Sequence, residues 1–317
     1  MNKWLKTWAF LPIAVALIAG NASGAIAENA PRAIAEFAAE RIKTSDANFS
    51  RPHDLVLSPD RKYLYVTYMG NDVIKVLDPR TLAVLGTFGA GELNSPHDAV
   101  FDDEGRLYVA NTGNDRVAVY RVRGVNADLL HSHRNCLSGP EGVDFDDAGR
   151  LYVTNAAGYT VVVFDGGAVV DHVGKAGDGE NEFDRPHDIE LRANRIYIAD
   201  SGNDRIQVLD QHHRHRKTLV GPGYAFKEPK YLAIDDAGCL LVADQHHDIV
   251  KVFDSSLRLL GTFASGRRGD GPDDLDRPEE VEIWKDLIWI SDTYNNRIVL
   301  YRRTKEPESA GAQRVPC

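Results

Sequence analysis

An all-β fold made of six copies of one four-stranded unit is what the 317-residue sequence predicts, and three observations carry it. Prolines recur at Pro52, Pro96, Pro140, Pro186, Pro229 and Pro278, and each opens the same succession: an apolar segment, a turn, a second apolar segment, a polar loop and a third apolar segment. The segments are short, rich in Val, Ile, Leu and Tyr and bounded by Gly, Asp, Asn or Pro, which marks strands; no stretch between Ser50 and Arg303 carries a convincing helical period. A further strand precedes the next proline, as in Leu85-Gly86-Thr87-Phe88 and Leu260-Gly261-Thr262-Phe263. Four antiparallel strands per repeat of about 40–50 residues make one blade, so the predicted fold is a six-bladed β-propeller.

Residues 1–27 are expected to stand outside that fold. Lys3 and Lys6 precede an apolar stretch from Trp8 to Ala19, and Ala25-Ile26-Ala27 forms a small-x-small site before Glu28. This order reads as a cleaved signal peptide, because the stretch is shorter than the roughly 20 residues that span a bilayer. The protein is therefore expected to be exported, periplasmic or secreted, with no membrane span after cleavage. A composition of 43% hydrophobic and 26% charged residues excludes collagen, low-complexity disorder and a multi-span membrane protein. Lys plus Arg number 37 against 47 Asp plus Glu, a formal charge of −10 with no basic tract, so nucleic acid is not an expected partner.

The propeller is expected over residues 28–303, with 304–317 as a flexible tail. In the clearest copy, blade 4, Pro186-His187-Asp188-Ile189-Glu190-Leu191 turns at 192–194. Arg195-Ile196-Tyr197-Ile198-Ala199-Asp200 follows, then the loop Ser201-Gly202-Asn203-Asp204 and the strand from Arg205 to Asp210. Turns such as Asp103-Glu104-Gly105 and Asp236-Ala237-Gly238 place Gly where tight hairpins need positive φ. Blade 6 lacks a fourth strand of its own after Arg303. Residues 33–38 are expected to supply it and close the ring, the competing reading being an amphipathic helix through Ile34, Phe37 and Arg41. Of three cysteines, Cys239 falls in a buried strand, where a thiol packs as a small apolar group, and the count leaves a Cys136–Cys317 bridge open.

Tyr108-Val109-Ala110-Asn111 through Asn114-Asp115-Arg116-Val117, Tyr197-Ile198-Ala199-Asp200 through Asn203-Asp204-Arg205-Ile206, and Ile290-Ser291-Asp292 through Asn296-Arg297-Ile298 carry a pattern of aromatic or apolar strand, Asp or Asn, then Asn-x-Arg-Ile. This resembles the NHL repeat family. Blades 1, 3 and 5 depart from it, with Val73, Thr160 and Ile249 where the Arg would stand. The resemblance extends over nearly all of the chain after residue 27 and implies the fold more specifically than a function.

Strand alternation puts the proline-led start of each inner strand on one rim. The residue after each proline is His53, His97, Glu141, His187, Lys230 or Glu279; the next is Asp54, Asp98, Gly142, Asp188, Tyr231 or Glu280. Both sets are expected to ring the mouth of the central channel as a ligand-binding rim. His53, His97 and His187 are candidate ligands for one divalent metal, Zn or Ca, and no nucleotide cofactor is expected because no Gly-rich phosphate loop is present. The bland alternative is that each Pro-His-Asp merely begins a strand, the Asp capping neighbouring backbone N–H groups. The peptidyl-hydroxyglycine amidating lyases are similar six-bladed propellers, and that resemblance implies a rim Zn on three His and a catalytic Tyr in a loop like Ser291-Asp292-Thr293-Tyr294-Asn295-Asn296-Arg297. The lyases draw their His from alternate blades, whereas His53, His97 and His187 lie on blades 1, 2 and 4. Two functions stay open at this point. One is an exported propeller that binds a peptide, glycan or protein at its rim. The other is a metal-dependent lyase or hydrolase in which Tyr294, Arg116 or Arg205 acts on the substrate.

Overall fold

A computed structural model describes residues 38–46 and 49–304, and the expected signal peptide and the residues beyond Thr304 lie outside that range. Each of the first five proline-led repeats is a four-stranded antiparallel sheet with its strands in chain order, and the sixth supplies three strands of such a sheet. Blade 1 is Pro52–Leu57, Leu64–Tyr68, Val73–Leu77 and Val84–Phe88; blade 4 is Pro186–Arg192, Arg195–Asp200, Arg205–Asp210 and His215–Leu219. The inner strands of the other blades are Pro96–Phe101, Pro140–Phe145, Pro229–Ile234 and Pro278–Trp284. A one-turn 3-10 segment joins the second and third strands in blades 2 to 6, as at Thr112–Asn114 and Thr293–Asn295.

The core is distributed between blades. One buried cluster joins Leu55 and Val66 of blade 1 to Trp289 and Ile298 of blade 6, and others lie at the remaining seams, such as Val119 with Val153 and Val208 with Val242. Alternation within the middle strands explains this: odd and even residues of one strand feed two different seams, so both faces are apolar. Trp289 caps the 6–1 seam, donating its indole N–H to the Pro79 carbonyl at 2.7 Å.

The ring closes as expected in kind and differently in register. Blade 6 takes Ala38–Thr44 as its outer strand, antiparallel to Arg297–Thr304, with Ala38 opposite Thr304 and Thr44 opposite Val299. The strand thus begins where residues 33–38 were expected to end, and residues 33–37 lie outside the described range. The helical alternative is overturned for residues 38–44. An outer strand is wetted on both faces, so Ala38–Thr44 shows no apolar alternation to betray it. Its anchor is Arg41, which donates to the Asp274 carbonyl at 2.9 Å and to the Tyr301 hydroxyl at 3.1 Å.

The cysteines also differ from expectation: Cys136 is free and exposed, and Cys239 is disulfide-bonded. Among the described residues no helix is long and apolar enough to cross a membrane.

Candidate metal centre at the channel mouth

Each inner strand carries one extra residue just after its proline. In blade 1, Pro52 pairs with Tyr68 but Leu55 pairs with Val66, and the same register shift recurs after Pro96, Pro140, Pro186, Pro229 and Pro278. A bulge of this kind re-aims side chains, so two successive residues reach the axis where plain alternation would turn one of them away. The first and second positions after the prolines therefore form two tiers, and normal alternation then presents the fourth position as a third tier.

The first tier holds the histidines. His53, His97 and His187 each offer a ring nitrogen, and these three atoms lie within 4.8 Å of one another. The His53 ring centroid is 4.3 Å from that of His97 and 5.7 Å from that of His187. Blades 1, 2 and 4 bring them together because the lumen is narrow; alternate blades are not required. Gly142 helps: a Cβ there would lie 2.7 Å from the Asp188 Cα and 2.9 Å from the His187 carbonyl, so the lack of a side chain lets the inner strands of blades 3 and 4 close up.

Second partners orient the rings. His97 Nδ1 lies 3.0 Å from the Ser95 carbonyl, which can only accept, so Nδ1 carries the proton and Nε2 keeps its lone pair. His53 Nδ1 is 2.9 Å from the Tyr231 hydroxyl and its Nε2 is 2.8 Å from Glu279 Oε2. His187 Nε2 is 3.4 Å from Glu141 Oε2 and 4.0 Å from Glu279 Oε2, while its buried Nδ1 has no partner among the described residues. Glu279 is oriented by Gln245, whose amide donates at 2.7 Å. Burial, reinforced by the neighbouring His53, pushes His97 down to about 3, and burial with the Lys230 charge pushes His187 well below the usual range. These two rings are held neutral, the form that binds metal. Burial pushes the Glu141 carboxyl up to about 7. Burial acts the same way on Glu279, but the His53 and Lys230 charges outweigh it and hold that carboxyl at about 2.

Below lie Asp54, Asp98, Asp188, Glu280 and Tyr231, all buried. Asp98 Oδ2 accepts the Val143 N–H at 2.6 Å and Asp188 Oδ2 accepts the Leu232 N–H at 2.8 Å, each tying its inner strand to that of the next blade. The capping role considered for the Pro-His-Asp motif is thus present alongside the histidine cluster. Asp54 Oδ2 is buried with no hydrogen-bond donor among the described residues. The third tier adds Asp144, Glu190 and Glu282, which the sequence reading passed over. Their signal was available as the period of two counted on from Gly142, Asp188 and Glu280. Desolvation raises the carboxyls of both tiers: Asp98 to about 6, Asp144 and Glu282 to about 7, and Asp54, Asp188, Glu190 and Glu280 well above the ordinary range.

The remaining candidates sit elsewhere on the rim. Arg205 is nine-tenths buried; it pairs with Asp200 at 2.7 Å and donates to the carbonyls of Asp178, Gly179 and Glu182, pinning the connector from blade 3. Arg116 donates to the Glu92 carbonyl in the same way, and in blade 5 Lys251 does this work, donating to the Tyr224 and Ala225 carbonyls at 2.7 Å. Tyr294 is partly exposed and stacked by Arg277, 3.9 Å from its centroid, with Arg51 at 5.3 Å. A cavity of about 630 Å³ between Arg61 and Trp284 lies on the opposite rim, away from the histidines.

The fold and this axial site define a six-bladed β-propeller built from inner-strand bulges. The NHL repeat model matches residues 93–120, which cover the first two strands and most of the third strand of blade 2. No curated protein matches its sequence. Among solved structures it is similar to a streptogramin B lyase, with 16% identity, a TM-score of 0.59, and coverage of 87% of this chain and 90% of that one. A catalytically inactive virginiamycin B lyase from Staphylococcus aureus with quinupristin gives 12%, 0.61, 85% and 100%. An auxiliary nutrient binding protein from Bacteroides thetaiotaomicron gives 17%, 0.62, 81% and 70%. At these identities the likeness is one of fold.

Proposed function

We propose that this protein is an exported propeller that holds one divalent metal ion on His53, His97 and His187 and captures a small ligand at that ion. The observation that carries the reading is the convergence of three imidazole nitrogens from three blades within 4.8 Å. Two of the rings have outer partners in Ser95 and Tyr231, the arrangement that orients ligating histidines. Imidazole donors favour Zn or a neighbouring transition metal over Ca, and Glu279 is close enough to His53 to serve as an anionic fourth ligand. Export is supported by the leader-like first 27 residues and by a disulfide at Cys239, which fits an oxidising compartment.

Metal analysis of untagged protein lacking residues 1–27 tests the reading. About one ion per chain, falling to near zero in His97→Ala and His187→Ala with the fold intact by circular dichroism, is the expected result. Far less than one ion in the unsubstituted protein, even after incubation with Zn, overturns it.

A metal-dependent lyase or hydrolase is the second reading, favoured by Glu141. Its carboxyl lies 3.4 Å from His187, within reach of a substrate held at that ion, where a carboxyl can take and return a proton. Turnover of a peptidyl-hydroxyglycine substrate that is lost in Glu141→Gln while metal is retained supports this reading. Ligand binding without turnover supports simple capture.

A further inference from the structure

The residue before each inner-strand proline adopts a left-handed backbone in all six blades: Arg51, Ser95, Gly139, Arg185, Glu228 and Arg277 have φ between 46° and 57°. Such a conformation is costly for side chains other than Gly and is retained where the surroundings enforce it. Here the enforcement is visible. The backbone N–H of Arg51 is accepted by Asn296 at 3.0 Å, that of Ser95 by Asp72 at 2.7 Å, that of Glu228 by Asp204 at 2.7 Å and that of Arg277 by Asp248 at 2.9 Å. Each acceptor belongs to the preceding blade, so the lip of the channel is fixed around its circumference.

Three of the six lip residues are Arg, and Lys230 stands just inside them. Its side chain is only 13% exposed and lies 3.5 Å from the Glu228 carboxylate. That same Glu228 also faces Arg185 at 3.2 Å and His246 at 3.1 Å, and Arg185 has Asp184 at 3.8 Å as well. Lys230 stands at the first position after Pro229, in the same tier as the histidines, and Arg185 directly precedes Pro186 and His187 in blade 4. Arg277 and Arg51 are held against Tyr294 on the adjoining part of the lip. A divalent ion on the histidines would join Lys230 and Arg185 as positive charge at the mouth, set against Glu141, Glu228 and Glu279 there and Asp184 beside Arg185.

We infer that the captured ligand is a small oxyanion-bearing molecule, a carboxylate or a phosphate, whose anionic group reaches the metal between Lys230 and Arg185. This inference rests on the metal reading above. An oxyanion on a divalent ion, met by an ammonium and a guanidinium, is a charge-assisted arrangement, worth about tenfold or more in affinity for the largely buried Lys230 and less for Arg185, whose side chain is 55% exposed. A cationic ligand would meet the same groups as repulsion.

Calorimetric titration of the Zn-loaded protein with acetate, inorganic phosphate and methylammonium tests it. Acetate or phosphate is expected to bind and methylammonium not; the tighter of the two anions names the ligand chemistry. Lys230→Gln is expected to weaken that anion about tenfold or more, and Arg185→Gln to weaken it less, with Zn still at one per chain. Anion affinity unchanged in Lys230→Gln at full Zn occupancy overturns the inference and leaves the metal reading standing, as does preferential binding of methylammonium. Failure of the unsubstituted protein to take up Zn overturns both.

Discussion

Glu282 should make the propeller less stable as pH rises, and removing its charge should reverse the effect. Its carboxyl faces the lumen in the third tier, accepts the Leu57 N–H and feels Arg61, yet desolvation outweighs both and raises it from an ordinary 4.5 to about 7. In the window between these values the folded chain holds a proton that the unfolded chain has released. Stability then falls with rising pH by up to about 1.4 kcal/mol for each pH unit. The contribution is fully unfavourable above the folded value and absent below the unfolded one. Over this window the ceiling is ~3 kcal/mol, and because Glu282 keeps part of its surface toward the lumen, ~1–2 kcal/mol is the expected size. Glu282→Gln keeps an acceptor for the Leu57 N–H without the charge. In chelator-containing buffer at pH 8 its Tm should exceed that of the parent by ~2–6 °C, and the difference should vanish near pH 4.5. A variant less stable than the parent at pH 8, or a difference independent of pH, would refute the argument that this carboxyl is ionised against its surroundings.

Gly142→Ala should lower Tm by several degrees and reduce metal occupancy, because the new Cβ meets the Asp188 backbone and the His187 carbonyl; overpacking of this kind costs about 1–3 kcal/mol. Arg205→Met should destabilise by about 3–5 kcal/mol in urea unfolding, since it strands buried Asp200, while leaving metal content at its parental value. Removing residues through Thr44 should strip the outer strand from blade 6 and broaden or split the thermal transition; an unchanged transition would show that this strand does not secure the ring. Thiol titration should find one reactive group per native chain, Cys136, with Cys239 unreactive until reductant is added.

The repeat was legible because its signals are local. A proline, short β-branched segments and glycine turns recur at nearly fixed intervals, and the blades in the structure begin at each of the six prolines. The closing strand was legible only as a vacancy in blade 6. Its register was not, because Ala38–Thr44 has neither an apolar alternation nor a turn to fix it, and its position depends on Arg41 finding Tyr301 and Asp274 more than 200 residues away.

The site divides in the same way. That residues one and two after each proline share the rim could be listed from sequence, but the reason both reach the axis is the bulge, and a bulge is a relation between two strands that neither strand displays alone. Convergence of histidines from blades 1, 2 and 4 has a similar cause. Around a wide ring, blades 1, 2 and 4 would hold their histidines apart. Around this one, neighbouring inner strands press together until Gly142 has no room for a Cβ, and the rings of His53, His97 and His187 meet across the lumen. Lumen width is set by packing of the seams behind the strands, so the property that turns three scattered Pro-His-Asp motifs into one candidate metal centre resides in residues such as Val119, Val153 and Trp289, none of which touches it.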